Sequence, residues 1–388
     1  MTIRLDINDP GFHEISTLLA GNGEEARLVG GCVRDQLIGI DPKDIDIATT
    51  AVPEKVRDIF EAAGFKVIPT GLQHGTVTVV HDGVPYEVTT LRADVETDGR
   101  HAKVAYIRDW RHDAERRDFT INAMSVSADG RLHDYFGGYD DLMEGRVRFV
   151  GDAARRITED YLRILRFFRF RARFGSAGDD SAIDAVATHA SGLQGISVER
   201  IWMEMSKIIV HPEGYGQVLL MDEIGLLPHI GFHADSRYLS GLRQMRRHTD
   251  RPGTLLGAML SGEHQAAEMA AGWKLSSSEA ADAVLAARTL ADFTEDEHYW
   301  LCKAVEMQDP LDLVPSLRMN RLKAAADAIE AGVPAFPLMG RDLIAAGMKP
   351  GPDLGKSLAA LRQEWKDSRF SLDKEALLSM ADLGGLRR

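Results

Sequence analysis

Two cysteines in 388 residues, Cys32 and Cys302, are too few for a disulfide framework or a cysteine-rich zinc site. A reducing compartment, the cytoplasm, is the expectation. No apolar run approaches the ~20 residues that a membrane helix needs, so no membrane partner is expected. Met1-Thr2-Ile3-Arg4-Leu5-Asp6 has neither an apolar core nor a cleavage signature, which argues against a secretory leader. Positive charge is in deficit: 46 Lys and Arg stand against 59 Asp and Glu, a formal net charge of -13. That excludes a coat protein that holds nucleic acid by bulk charge. It does not exclude an enzyme whose cations are placed locally. Fixed-period repeats and low-complexity tracts are missing as well.

The length predicts two or three domains. Hydrophobic residues make up 44% and charged residues 27%, the mix of a water-facing globular fold. Residues 1–150 read as mixed α/β. Leu28-Val29 runs into Gly30-Gly31 and then a helix-like Val33 to Ile38. Asp44-Ile45-Asp46-Ile47 alternates with a strand period. Lys66 to Ile68, Thr76 to Val80 and Tyr86 to Thr90 are further strands, with a turn at His81 to Pro85 closing a hairpin. The polar stretch 92–117, with Asp98-Gly99, reads as a mobile loop. From about residue 153 the pattern turns helical, with breaks near Gly175, Pro212, Pro252 and Pro350.

Gly30-Gly31 between a strand and a helix lets backbone approach an anion closely. The helix start offers N–H groups to phosphate, with Arg34 close by. Asp44 and Asp46, two apart on a strand, face one side about 6.5–7 Å apart and repel each other. Such a pair suits Mg2+, which takes one or two carboxylates plus substrate phosphates. A solvated strand face is the plainer reading of Asp-x-Asp alone. Glu87 on a neighbouring strand is a possible third carboxylate or an exposed strand residue. Arg116-Arg117-Asp118 offers cations for triphosphate and ribose, with Asn122 fixing the turn.

Residues 161–173 carry five Arg and no acid. Asp160 and Arg163, three apart on a helix, are expected to pair and present a flat donor–acceptor edge. Arg166 lies one step further around. Arg169, nine residues beyond Asp160, falls on the opposite face of a straight helix and suits a phosphate or RNA contact. Glu199-Arg200-Ile201 through Lys207, after an N-cap at Ser197, reads as a structural brace.

In order along the chain, Leu28 to Asp35, Asp44-Ile45-Asp46, Arg116 to Met124, Glu159 to Arg166 and Glu199-Arg200-Ile201 resemble the bacterial class II CCA-adding tRNA nucleotidyltransferases. These stand with poly(A) polymerases in the polymerase-β-type superfamily. The resemblance spans about residues 25–207, and Met339 to Leu343 with Lys349 to Pro352 resembles a weaker signature of the same enzymes. It implies an α+β fold: a polymerase-β-like head with a mixed sheet, then an all-helical neck, body and tail. The head would cover residues 1–136, a base-recognising neck 137–210, and a tRNA-binding body and tail 211–388.

The implied activity is template-independent addition of C, C and A to the tRNA 3′ acceptor end from CTP and ATP. Asp44 and Asp46 would be the catalytic pair and hold Mg2+. Gly31 and Arg34 would contact the incoming nucleotide and Arg117 its phosphates or sugar. Asp160 and Arg163 would meet the base edge, with Arg166 and Arg169 as further nucleotide contacts. Competing expectations are a poly(A) polymerase, an enzyme adding only CC or only A, and a catalytically silent RNA-binding protein. His-Asp pairs occur only at 81–82, 112–113 and 133–134, so no phosphohydrolase activity is expected.

Overall fold

A computed structural model describes residues 3–42, 44–71, 75–97, 102–175, 177–178, 180–233 and 235–381. The chain divides into two compact units. One holds residues 1–233 with 272–274, the other residues 234–271 and 275–388.

In the first unit the elements run α1 (Pro10–Gly21), β1 (Ala26–Val29), α2 (Gly31–Leu37), β2 (Asp46–Thr49), α3 (Pro53–Ala62), β3 (Lys66–Gly71), β4 (Thr76–His81) and β5 (Val84–Thr90). There follow β6 (Arg92–Thr97), β7 (Ala102–Tyr106), α4 (Trp110–Glu115), β8 (Ser125–Ser127), β9 (Leu132–His133) and α5 (Gly138–Met143). The seven-stranded sheet has the order β3-β4-β5-β2-β1-β8-β9. Its β2–β5 pair is parallel and its other pairs are antiparallel, so the sheet is mixed as expected.

Local chemistry explains these elements. Asp9 caps α1 by accepting the Phe12 N–H at 2.6 Å, with Pro10 in the first turn. The same helix sends Phe12, Ile15 and Leu19 into the core. Burial alternates along β4 and β5, the period-2 signature of a half-covered ladder. Asp82 and Gly83 both have positive φ, 48° and 84°, and close a two-residue turn between His81 and Val84. A right-twisted hairpin requires that backbone sign.

The stretch 92–117 is not a loop. β6 and β7 pair antiparallel as a separate two-stranded ribbon, and α4 follows. The misreading came from polarity: both segments alternate small or apolar with charged or polar residues and contain no long apolar run. Asp98-Gly99 lies outside the described residues.

The helical part of this unit comprises α6 (Ala153–Glu159), α7 (Leu162–Phe174), α8 (Asp180–His189), α9 (Val198–Val210) and α10 (Gly214–Glu223). Helices α7, α9 and α10 pack on one another. Phe119 and Phe149 stack with Phe167 and Phe170 of α7 at centroid distances of 5.0 to 6.4 Å. That aromatic cluster binds the Arg117–Asn122 region to the arginine-rich helix.

The second unit is helical, beginning with α11 (Ser236–Met245), α12 (Pro252–Gly257), α13 (Glu263–Gly272, whose last residue lies with the first unit) and α14 (Ser277–Ala291). Gly253 and Gly257 let α12 lie directly on the backbone of α14, where a Cβ would overlap the carbonyls of Glu279 and Ala283. The segment resembling a C-terminal signature starts the helix Gly340–Ala345, whose Asp342 accepts from the Met339 N–H at 2.7 Å and from Lys374 at 2.7 Å.

Candidate active site

The geometry starts at the turn out of β1. Gly30 has φ of +71°, and a Cβ there would stand 2.9 Å from the Arg117 guanidinium, so glycine is required twice over. Gly31 opens α2 and borders a cleft of about 610 Å³. Arg34, Asp46, Arg117, Asp160, Arg163 and Arg166 border the same cleft.

Asp46 opens β2, and Asp44 precedes the strand in an exposed bend rather than lying on it. The strand starts late because the chain between α2 and β2, with Pro42, pairs with no neighbour until Asp46 meets Glu87. Ile47 is buried as expected, whereas Ile45 is only half-buried. A smaller hollow, about 360 Å³, is lined by both Asp44 and Asp46 together with Arg34, Asp35 and Arg173. Burial pushes the Asp46 carboxyl up; Asp44 adds to the rise and Arg117 opposes it. Two acids whose joint ionisation is disfavoured, opening on a phosphate-sized cleft, are a donor set that fits a hard divalent cation. Among the described residues no three His, Cys, Asp or Glu side chains converge as a ready-made metal cluster. Glu87 is exposed and stands level with Asp46 across the parallel ladder, which places it on the same face.

Behind the cleft runs a chain of polar contacts. Arg34 is buried; it bonds Asp35 at 2.9 and 3.0 Å and donates to Asn122 Oδ1 at 2.5 Å. Its guanidinium also lies 4.5 Å from the Phe174 ring centre. Asn122 Nδ2 donates to Asp118 Oδ1 at 3.0 Å, and Arg166 donates twice to Asp118 Oδ2, at 2.5 and 2.8 Å. Burial alone would raise the Asp118 carboxyl. The Arg166 charge and the hydrogen bonds outweigh it and hold the group below the usual carboxylate range. Asp113 behaves alike, with Arg117 and Arg116 outweighing burial. Asn122 therefore fixes more than its own turn: it joins α2 to α7 through Asp118.

The expected Asp160–Arg163 pair is not formed. Asp160 sits in the break between α6 and α7 with extended backbone, φ -156°, and is not on the helix. Its Oδ1 accepts the Leu162 N–H at 3.0 Å and its Oδ2 accepts from Arg200 at 2.9 Å. Arg163 instead pairs with Glu159 at 2.7 Å and donates to the Arg156 and Arg116 carbonyls. The helix break also removes the basis for placing Arg169 opposite Asp160. Arg169 follows Arg166 by three residues on α7 and turns to the buried Glu204 of α9, at 2.6 Å. It does not border the cleft.

The α9 segment is more than a brace. Arg200, Met203 and Glu204 line the cleft, and Arg200 and Glu204 hold Asp160 and Arg169. Ser197 does occupy the N-cap position, without a side-chain cap bond. Sequence reading missed Asp118, Arg200 and Glu204 as cleft groups, Glu159 as the partner of Arg163, and Arg173 beside Asp35, at 3.0 Å. The signal for α9 was there: Arg200 and Glu204 are four apart and of opposite charge, matching the acid Asp160 ahead of α7 and the base Arg169 on it.

Comparison with known proteins agrees with this layout. The poly A polymerase head domain family matches residues 26–148. A family described as the probable RNA and SrmB-binding site of polymerase A matches residues 179–234. The mouse mitochondrial CCA tRNA nucleotidyltransferase 1 is 37% identical over 95% of this chain and 89% of its own length. The CCA-adding enzyme of Limosilactobacillus fermentum is 32% identical over 92% and 93%. A crystal structure of the Bacillus stearothermophilus CCA-adding enzyme in complex with CTP shares 29% identity, covers 96% of this chain and 97% of that one, and superposes with a TM-score of 0.78. A glycine turn, Asp46 and a set of paired charges on one cleft, in a chain similar to these relatives over about nine-tenths of its length, mark a member of the CCA-adding tRNA nucleotidyltransferase family.

Proposed function

We propose that the chain adds C, C and A to the 3′ end of tRNA from CTP and ATP, releasing pyrophosphate and using no nucleic-acid template. The observation that carries this reading is that Gly31, Asp46, Asp160 and Arg163 line one cleft of about 610 Å³. In this reading the triphosphate lies at the glycine turn and the base at Asp160 and Arg163.

Asp44 and Asp46 are the catalytic pair and would hold Mg2+, which supplies charge to neutralise the triphosphate and to favour the attacking oxygen's ionised form. Glu87 is proposed as a third acid on the same face. Gly31 leaves room for the phosphates, Arg117 reaches them from the far wall, and Arg34 stiffens that wall from beneath. Arg166 stands beside the nucleotide, and Arg169, held by Glu204 outside the cleft lining, serves as a phosphate or RNA contact. Asp160 accepts from the amino group that cytosine and adenine share, and Arg163 donates to the neighbouring ring nitrogen. The tRNA 3′-hydroxyl then attacks the α-phosphate in line, and positioning with electrostatics supplies most of the rate.

Residues 1–136 serve as the transfer head, 137–210 as the neck, and 211–388 as the body and tail that hold tRNA by shape and phosphate. A cytoplasmic location is proposed on the two unpaired cysteines, the buried Cys32 and the half-buried Cys302. Among the described residues no helix is long and apolar enough to cross a membrane.

Primer extension tests the reading. tRNA ending at the discriminator base, and tRNA ending in CC, would be offered with Mg2+ and CTP, ATP or both. Ordered addition of C, C and A that then stops is the expected result. Long A tails would identify a poly(A) polymerase, A addition to the CC end alone an A-adder, and a halt after CC a CC-adder. No incorporation would leave a silent RNA-binding protein.

A further inference from the structure

Asp160 is held from two sides. Oδ1 accepts the Leu162 N–H at 3.0 Å, an Asx-type turn leading into α7. Oδ2 accepts from Arg200 at 2.9 Å across the cleft floor. The two bonds together fix the plane of the carboxylate, and neither alone would do so. One turn along, Glu204 holds Arg169 at 2.6 Å, so α9 grips α7 and the break before it through two oppositely directed ion pairs.

We propose that Arg200 is a positioning residue for base selection. It acts through Asp160 and rests on the reading that Asp160 meets the base edge. Cytosine and adenine present an amino group where uracil and guanine present a carbonyl oxygen. A carboxylate is acceptor-only. Held still, it bonds the amino group and repels the carbonyl. Freed to rotate, it still finds an amino donor, yet it can also turn away from a carbonyl, and the penalty against the wrong base disappears. Selectivity here is a fixed repulsion as much as an attraction. Loss of Arg200 therefore costs discrimination more than it costs rate with the correct nucleotide. A merely structural brace would lower all nucleotides alike.

The test uses the full chain and measures kcat/KM for CTP and UTP on tRNA ending at the discriminator base, and for ATP and GTP on tRNA ending in CC. Arg200→Gln is expected to reduce the CTP-to-UTP and ATP-to-GTP ratios at least tenfold, chiefly by raising use of the wrong nucleotide. Arg200→Lys, which keeps the charge but lacks the planar fork, should give intermediate ratios. Asp160→Ala is the reference. Ratios unchanged in Arg200→Gln but collapsed in Asp160→Ala overturn the role of Arg200 and leave base reading standing. Ratios intact in Asp160→Ala overturn base reading itself. Should Arg200→Gln fail to fold, the Arg200→Lys ratios decide, and wild-type values there reject the proposal.

Discussion

The two ends of the cleft treat charge in opposite ways. At the head, Asp44 and Asp46 stand beside each other, and only Arg117 relieves them among the strongest influences on Asp46. At the neck, each charge has an opposite: Asp160 with Arg200, Arg163 with Glu159, Arg166 with Asp118, Arg169 with Glu204. Negative charge left in excess at Asp44 and Asp46 suits a cation. Charge that is balanced attracts little and holds side chains in place. Both ends are made of the same few residue types, so arrangement rather than composition separates the two tasks.

The sharpest way to break this contrast is at the head. Asp46→Ala should reduce kcat/KM for CTP incorporation by about a thousandfold or more. It should not lower the melting temperature, since it removes an acid whose ionisation the fold disfavours. Retained activity, or a large loss of stability, would contradict the division.

At the neck the expected loss is in stability. Arg166→Leu strands the buried Asp118 carboxylate and should cost about 2–3 kcal/mol in urea unfolding at pH 7. The sign with pH follows from the shift. Asp118 has its pKa depressed in the fold, so it stabilises above the ordinary carboxylate value and this stabilisation is lost as pH falls through the depressed value. In the variant the Arg166 charge is gone and only the Asn122 and Phe119 hydrogen bonds oppose burial, so the Asp118 pKa rises relative to wild type and the deficit should shrink as pH drops toward about 4. A deficit that is constant with pH would mean Arg166 acts by packing.

The second unit supplies a control in a backbone-to-backbone helix contact. Gly257→Val forces α12 off α14 and should cost about 2 kcal/mol. Nucleotide choice at saturating tRNA should not change, and a shift in the CTP-to-UTP ratio would tie that helix pair to selection. The smallest effect is expected at the turn, where Gly30→Ala strains a φ of +71° and crowds Arg117. About 1 kcal/mol of stability and a raised KM for CTP would fit, whereas an unchanged KM would separate the turn from the phosphates.

Most of the head was legible because its strands alternate and its turns carry glycine. β1, the start of α2, β4, β5 and the Asp82-Gly83 turn all followed from period and turn chemistry. The ribbon β6–β7 did not, because a strand pair rich in charged residues looks like a polar loop. The cleft was legible through contiguous motifs, and its partners were not. Asp118 meets Arg166, and Asp160 meets Arg200, across 48 and 40 residues, distances over which spacing carries no information. The helix rule failed at Asp160 since one extended residue resets the face count, and nothing in Glu159-Asp160-Tyr161 announces that break.

The separation of Asp118 from Arg166 also sets an order of events during synthesis. At about 5–20 residues per second the ribosome needs roughly 2–10 s to travel from one to the other. For that interval the nascent head carries an acid that the finished fold buries, with its counter-charge still unmade. Asp118 can remain solvated only if the Phe119 cluster stays open, and the cluster itself waits for Phe167 and Phe170 on the same late helix. Closure of the Phe119 cluster thus coincides with the emergence of α7, so a ribosome-bound chain acquires the buried Asp118–Arg166 pair and its aromatic cover together.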